Sequence, residues 1–452
     1  MRPRIYCGPL IFRAFLRMPP KESADLLIEP RWVLPMLPVN TALSGYAVAV
    51  ADGRIAAIGP AELLNARFAA RERIVRPDHA LLPGFVNAHA RAAAALFRGV
   101  PRAAAASAAQ RFSGPELIKD ATQIAIAEML RAGITCFAGA DLFPEEAARV
   151  AAASHMRAAI GLPVSDAPNG WAESAVMHLA KAERLWDVYR SDPLVSLYFA
   201  LPTPAAIGDP TLSRVRRVVD ELDARVAMPL HESAACVHDS LAWDGRRPLQ
   251  RLQALGLLRP GFVALQMTQL DAADIQIVAR TGVCVVACPQ ADLREHGGSC
   301  PVAELDASRI AVGLGTDSPI DGGALDILAE ARVAALLAAK GNGAAPALPA
   351  ATALRMATLG GAAALGMSSL IGSIEPGKAA DLACFDLGGL EFQLAGQPAA
   401  ALVFAATRAQ ASDVWTSGRP AVSRGRLLAF DEHEMKELGR RWAERIRPEV
   451  TL

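Results

Sequence analysis

Short, almost wholly apolar runs alternate with helix-period segments across the middle of the chain. The runs are LLPGFVNAH, ITCFAGADL, RAAIGLPV, VSLYFALP, VAMPLHES, GFVALQMT, VCVVACP and IAVGLGTDS. Strands that read apolar throughout are strands covered on both faces. Between them, Ile126, Met129 and Leu130 follow the i, i+3, i+4 spacing of a helix face, as do Ile275, Val278 and Ala279 behind Asp271, a good N-cap residue. Eight strand-helix units predict a parallel sheet closed into a (β/α)8 barrel, an α/β fold of the TIM type. Upstream, YAVAVADGRIAAIGP from Tyr46 to Pro60 alternates about Asp52-Gly53, the signature of a β-hairpin. Turn and strand character returns in GSIEPGKAADLACFDLGG, and a last helix is expected from about Asp431. The predicted organisation is a barrel over 81–371, a small flanking β-sandwich built jointly from 24–80 and 372–430, and a C-terminal helix over 431–452. Residues 1–23 are expected to be a disordered extension or to lie upstream of a true start at Met18.

Composition narrows the partners. The chain has 452 residues, 52% of them hydrophobic, and its 46 basic and 46 acidic side chains cancel. With neither net charge nor a long basic run, the electrostatic footprint of a nucleic-acid or anionic-membrane binder is missing, so a neutral small-molecule or protein partner is expected. No apolar run approaches the 18 or so residues of a membrane span. Seven cysteines without a CxxC pair suit a reducing compartment, which predicts a cytoplasmic protein.

Reactive side chains matter most at the C-terminal ends of barrel strands, where His89, Glu232 and Asp317 fall. Imidazole and carboxylate groups at such positions suit a metal that acidifies water, although hydrogen-bonded rim residues would read the same. Among the eight histidines, at 79, 89, 155, 178, 231, 238, 296 and 433, no two form HxH or HxxxH. Cys284 and Cys288 share a strand face about 13 Å apart, too far to share an ion. They read as buried structural thiols, and a nucleophilic Cys288 would need an adjacent base.

The stretches LLPGFVNAHAR, EMLRAGITCFAGADLFPE, LHESA, GVCVVACPQADL, AVGLGTDSPID and IGSIEPGKAADLACFDL resemble the amidohydrolase superfamily. They are most similar to its methylthioadenosine/S-adenosylhomocysteine deaminases and to the related triazine hydrolases. The likeness runs from about Ala24 to Arg445 and implies the barrel and flanking β unit together with metal-dependent hydrolysis of non-peptide carbon-nitrogen bonds. It also implies a homo-oligomer or association with an active relative.

The ligand set that the resemblance implies is degenerate here. NAHAR keeps His89 but places Arg91 where the family has a second histidine, and a guanidinium has no lone pair for a cation. Pro229 stands at a ligand-histidine position three residues before Glu232, which matches a catalytic glutamate. Gln266 replaces the histidine of HMTQL. Ala287, Gln290 and Ala291 replace polar groups of VVHCPESN, Pro202 a further histidine, and the loop VPRAAAASAAQRF looks shortened. Only His89 and Asp317 remain as ligands, against about three for a catalytic zinc. His231, two residues past Pro229 on the same strand face and beside Gln290 in the expected pocket, sits about 6.6 Å along the strand. Metal-ligand bonds tolerate only about 0.2 Å.

The resulting expectation is a pseudoenzyme with no cofactor, serving a binding or regulatory role, in which Glu232 and Asp317 are vestigial catalytic positions. In that reading Arg91 stands in for the ion, pairing with Asp317 and with Glu232. Breaking such a pair, if buried, costs roughly 3 kcal/mol. The alternative is an active zinc or iron hydrolase of a purine- or pterin-like substrate, with a rewired site of His89, His231, Glu232 and Asp317. A metal-free reaction with Asp317 or Glu232 as general base is a further alternative.

Overall fold

The computed structural model describes residues 21–320, 323–340, 347–393 and 396–450. Of the extension expected over 1–23, residues 1–20, Met18 included, lie outside the described residues, while Glu22 and Ser23 already open the first strand.

Five strands precede the barrel: β1 (Glu22–Val33), β2 (Leu43–Ser44), β3 (Tyr46–Ala51), β4 (Arg54–Pro60) and β5 (Phe68–Pro83). Four follow it: β14 (Leu382–Asp386), β15 (Ala411–Thr416), β16 (Arg419–Ser423) and β17 (Arg426–Leu427). They join in one mixed sheet in the order β17-β16-β15-β14-β5-β1-β3-β4, with β2 on β1. β1 runs parallel to β5 and antiparallel to β3. The hairpin turns at Asp52 and Gly53 with φ of 51° and 72°, the left-handed conformation that a two-residue hairpin loop demands. Alternation gives the sheet two apolar faces. Leu26, Ile28, Val48 and Val50 join Trp415 on one, and Leu27, Ala47 and Ala49 pack with Leu64 and Phe68 on the other.

The barrel strands are β6 (Phe85–Ala90), β7 (Ile134–Gly139), β8 (Arg157–Pro163), β9 (Val195–Ala200), β10 (Arg225–Leu230), β11 (Phe262–Gln266), β12 (Cys284–Ala287) and β13 (Val312–Leu314). They pair in sequence order, and every ladder is parallel. The seam between β13 and β6 closes through the main chain. His89 O accepts from Thr316 N at 2.9 Å and Asp317 N at 3.0 Å, and Arg91 N donates to Asp317 O at 3.1 Å. Asn87 seals the same seam by donating to Thr316 Oγ1 at 2.8 Å and accepting from Thr316 N at 3.1 Å. A side chain at Gly315 would put its Cβ 2.8 Å from both His89 Cβ and His89 O, so only glycine allows this approach.

Barrel and sheet are riveted together by Arg157 of β8, 3% exposed. It donates to Asp381 from Nε at 2.9 Å and to Ser417 Oγ at 3.0 Å. The helix Pro115–Arg131 buries Ile126, Met129 and Leu130 as its spacing predicts. The helix Ala272–Thr281 is capped by Asp271, which accepts from Asp274 N at 2.9 Å. It buries Asp274, Ile277 and Val278, while Ala279 of the expected stripe faces solvent. The helix is rolled by one position because Asp274 is drawn inward to Arg247, whose Nη2 donates to it at 2.6 Å. VPRAAAASAAQRF is a helix over Arg102–Phe112, covered by Leu438, Trp442 and Ile446 of the closing helix Glu432–Val450. Among the described residues no helix is long and apolar enough to cross a membrane.

Candidate functional site

The mouth of the barrel is built where strands end. His89 ends its side chain 3.4 Å (Nε2) from Asp317 Oδ1, and Arg91 places Nε 3.1 Å from the same oxygen. Gln266, last residue of β11, donates from Nε2 to Asp317 Oδ2 at 3.2 Å. Three elements thus converge on one carboxylate whose side chain is 4% exposed. Burial alone would raise the Asp317 carboxyl, but the adjoining His89 imidazole and Arg91 guanidinium, with the Gln266 amide, hold it well below the usual carboxylate range. Asp317 is the anion of a fixed ion pair.

Arg91 meets Asp317 as the sequence predicts, with Nε its nearest nitrogen. Its side chain is 55% exposed, so the buried-pair cost of roughly 3 kcal/mol does not apply to it. Asp317 raises the Arg91 pKa most, and Asp141, Glu295 and Glu232 add to the effect. The expected second partner is not in contact: among the described residues the Glu232 carboxylate enters no ion pair, while its carbonyl accepts from Thr268 Oγ1 at 2.8 Å.

Of the two predicted pocket residues, His231 points away from the mouth. His231 is fully buried, its Nδ1 3.1 Å from Gln269 O and 3.6 Å from Asp274 Oδ2, while Nε2 accepts from Leu249 N at 3.3 Å. An Nε2 that accepts requires the proton on Nδ1, which donates to the Gln269 carbonyl. Burial lowers the His231 pKa, keeping the ring neutral among the outer helices Pro248–Ala254 and Ala272–Thr281. The strand-face argument fails here because β10 stops at Leu230. His231 is left-handed at φ 49°, which breaks the two-residue alternation. Gln290 is held by Glu330: its Nε2 and backbone N donate to the two carboxylate oxygens at 3.0 and 2.9 Å. Pro229 stays in β10, opposite Leu265.

Three carboxyls not singled out from the sequence belong to the same neighbourhood. Asp141, just past β7, accepts from Ala93 N at 3.1 Å, and burial raises its pKa. Asp292 is fully buried with neither carboxyl oxygen hydrogen-bonded, and burial pushes it up to about 9, with Asp317 and Glu330 adding repulsion. Glu330 is pushed up to about 8, again mainly by burial. Asp141 and Asp292 stand in GADLFPE and CPQAD, whose strand-end position was their only signal. Cys288 is buried, and burial holds its thiol well above the usual range, as suits a structural cysteine beside Ala287.

The arrangement does not fit a catalytic zinc. His89 and Asp317 are the two donors that converge, and a guanidinium lies 3.1 Å from the oxygen an ion would need. Among the described residues no three His, Cys, Asp or Glu side chains are grouped to hold an ion.

Comparison with known proteins bears on the fold and the chemistry of relatives. Residues 80–421 match the amidohydrolase family. The 5-methylthioadenosine/S-adenosylhomocysteine deaminase of Teredinibacter turnerae is 34% identical over 433 residues, 94% of this chain and 98% of its own. That of Saccharophagus degradans is 33% identical over 435 residues, with the same two coverages. An adenosine deaminase from Xanthomonas campestris, solved with bound zinc, superposes with a TM-score of 0.92 at 41% identity, over 95% of this chain and 100% of its own. The zinc complex of atrazine chlorohydrolase from Arthrobacter aurescens, 20% identical, shares the fold with a TM-score of 0.83 over 92% and 99% of the two chains.

Proposed function

This chain belongs to the amidohydrolase family, and from that premise we propose that it binds an adenosine-like small molecule at the barrel mouth without hydrolysing it. The observation that carries the reading is the state of Asp317. Its Oδ1 faces the Arg91 guanidinium and its Oδ2 accepts from Gln266, so the carboxylate that would hold an ion is already neutralised and hydrogen-bonded by the protein itself. The His89 imidazole leans on the same carboxylate, while His231 is committed to the outer helices. Among the described residues, no three His, Cys, Asp or Glu side chains are grouped to grip a metal and aim a water at a purine carbon. Glu232 keeps the place of a proton-transferring residue, and among the described residues its carboxylate enters no ion pair. Ligand class follows from the relatives, whose names specify 5-methylthioadenosine, S-adenosylhomocysteine and adenosine.

Elemental analysis of the purified protein, an ammonia-release assay with adenosine and 5′-methylthioadenosine, and a thermal-shift screen of the same compounds test this together. A folded protein with substoichiometric metal, no ammonia and a ligand-dependent rise in Tm is expected. Stoichiometric zinc or iron that disappears with turnover in His89→Ala would overturn it.

A further inference from the structure

A cavity of about 440 Å³, lined by none of the residues that converge on Asp317, opens between the helix Pro115–Arg131 and the closing helix Glu432–Val450. Two helix faces form its walls. On the first, Ile124, Glu128 and Arg131 recur at i, i+4, i+7; on the second, Glu432, Met435 and Lys436 recur at i, i+3, i+4. Arg98, just past the short helix Ala92–Phe97, and Arg408 of the turn Arg408–Gln410 enter from two further segments. Each helix contributes one carboxylate, and each carboxylate serves two cations. Arg98 Nη2 donates to Glu128 Oε2 at 2.5 Å, Arg408 Nη1 to Glu128 Oε1 at 2.7 Å, and Leu325 N to the same Oε1 at 3.2 Å. Glu432 Oε2 lies 3.5 Å from Arg131 Nη1 and 3.9 Å from Lys436 Nζ.

Counting donors shows what the cavity lacks. Two guanidiniums carry roughly ten N–H donors, whereas one carboxylate offers roughly four acceptor sites, and Leu325 N already faces Glu128. Arg98 and Arg408 therefore hold donors that Glu128 has no room to receive. Their side chains are 34% and 44% exposed, so that surplus is open at the cavity wall. In all, four cations stand against two carboxylates, a formal surplus of two positive charges. Ile124, Leu427 and Met435 add apolar surface to the same cavity.

We infer that this cavity binds a phosphate monoester, its phosphate among the four cations and its organic part against Ile124, Leu427 and Met435. A phosphate monoester carries close to two negative charges at neutral pH and presents three strong acceptor oxygens. These match both the charge surplus and the unfilled donors, and a guanidinium fork receives such oxygens in pairs. A carboxylate ligand brings one charge and leaves half the surplus standing. The volume falls within the roughly 300–1,000 Å³ of small-molecule sites, more than a bare phosphate fills. This second site goes beyond the function proposed for the barrel mouth and does not rest on it.

Isothermal titration of the full chain at neutral pH with phenyl phosphate, inorganic phosphate and benzoate tests it. Phenyl phosphate should bind about tenfold more tightly than inorganic phosphate, through burial of its ring, and about tenfold more tightly than benzoate, through its second charge. Added salt should weaken it. Its affinity should fall about tenfold in Arg408→Gln, and by as much in Arg131→Gln and Lys436→Gln combined. The latter two side chains are 53% and 65% exposed, so their replacement spares the fold, which thermal melts of every variant check. Arg91→Ala, at the mouth, should leave the affinity unchanged. The inference is overturned if phenyl phosphate does not bind, if it binds no better than inorganic phosphate or benzoate, if its affinity survives both sets of charge removals, or if Arg91→Ala abolishes it.

Discussion

Replacing Arg91 by alanine isolates the interaction on which the site is built. The substitution leaves Asp317, 4% exposed, with His89 and Gln266 but without the guanidinium 3.1 Å away. Breaking a fully buried pair costs about 3–5 kcal/mol, whereas an exposed one contributes up to about 1 kcal/mol. Arg91 is 55% exposed while Asp317 is buried, which places the expected loss between these limits, at about 1–2 kcal/mol at pH 7. The pH dependence separates charge from packing. An acid whose folded pKa is depressed contributes stability above its unfolded value, near 3.9 for Asp, and loses it as pH falls through the folded value. Asp317 is such an acid. The gap between wild type and Arg91→Ala should therefore be full at pH 7 and close progressively below the usual carboxylate range. Urea unfolding followed by circular dichroism, at neutral and acidic pH, measures it, and a cycle with Asp317→Asn gives the coupling. A gap that does not change with pH, or a variant as stable as wild type at pH 7, would refute the electrostatic account.

Asp292 works in the opposite sense. Its folded pKa of about 9 lies above the unfolded value, so the folded protein binds the extra proton and loses stability as pH rises from about 4 toward 9, by up to about 1.4 kcal/mol per pH unit. Asp292→Asn should flatten that decline and gain on wild type at pH 8 relative to pH 5; parallel stability curves would count against a neutral buried Asp292. Supplying the missing donors is a third test. Arg91→His, Pro229→His and Gln266→His combined should take up zinc stoichiometrically and melt higher with zinc than with chelator, by about 2.7 kcal/mol at a hundredfold excess over Kd. Failure to take up zinc would show that more than donor identity separates this mouth from a metal site.

All eight barrel strands were legible because strands covered on both faces are written as unbroken apolar runs, a signal that survives without any alignment. Arg91 was legible too, since the resemblance places it at a ligand position next to the surviving Asp317. Its exposure was not, because a strand-end side chain can lie along the wall or across the mouth with the same sequence. His231 escaped because alternation holds only while the backbone stays extended, and φ turns positive at that residue. The stripe on Ala272–Thr281 was displaced by one position because Asp274, three residues past the Asp271 cap, bonds inward to Arg247. Asp292 could not be read at all: an aspartate after a strand looks like solvent-exposed loop polarity until packing encloses it.

The clasp that shuts the cylinder is made of amide and carbonyl groups at 89, 91, 316 and 317, which every amino acid except proline can supply in full. Alongside the Asn87–Thr316 side-chain bonds, this main-chain part of the clasp does not depend on which side chains project from 89, 91 and 317 into the mouth. Chemistry at the rim can be rewritten, cation for ligand or amide for imidazole, while the architecture beneath continues to hold.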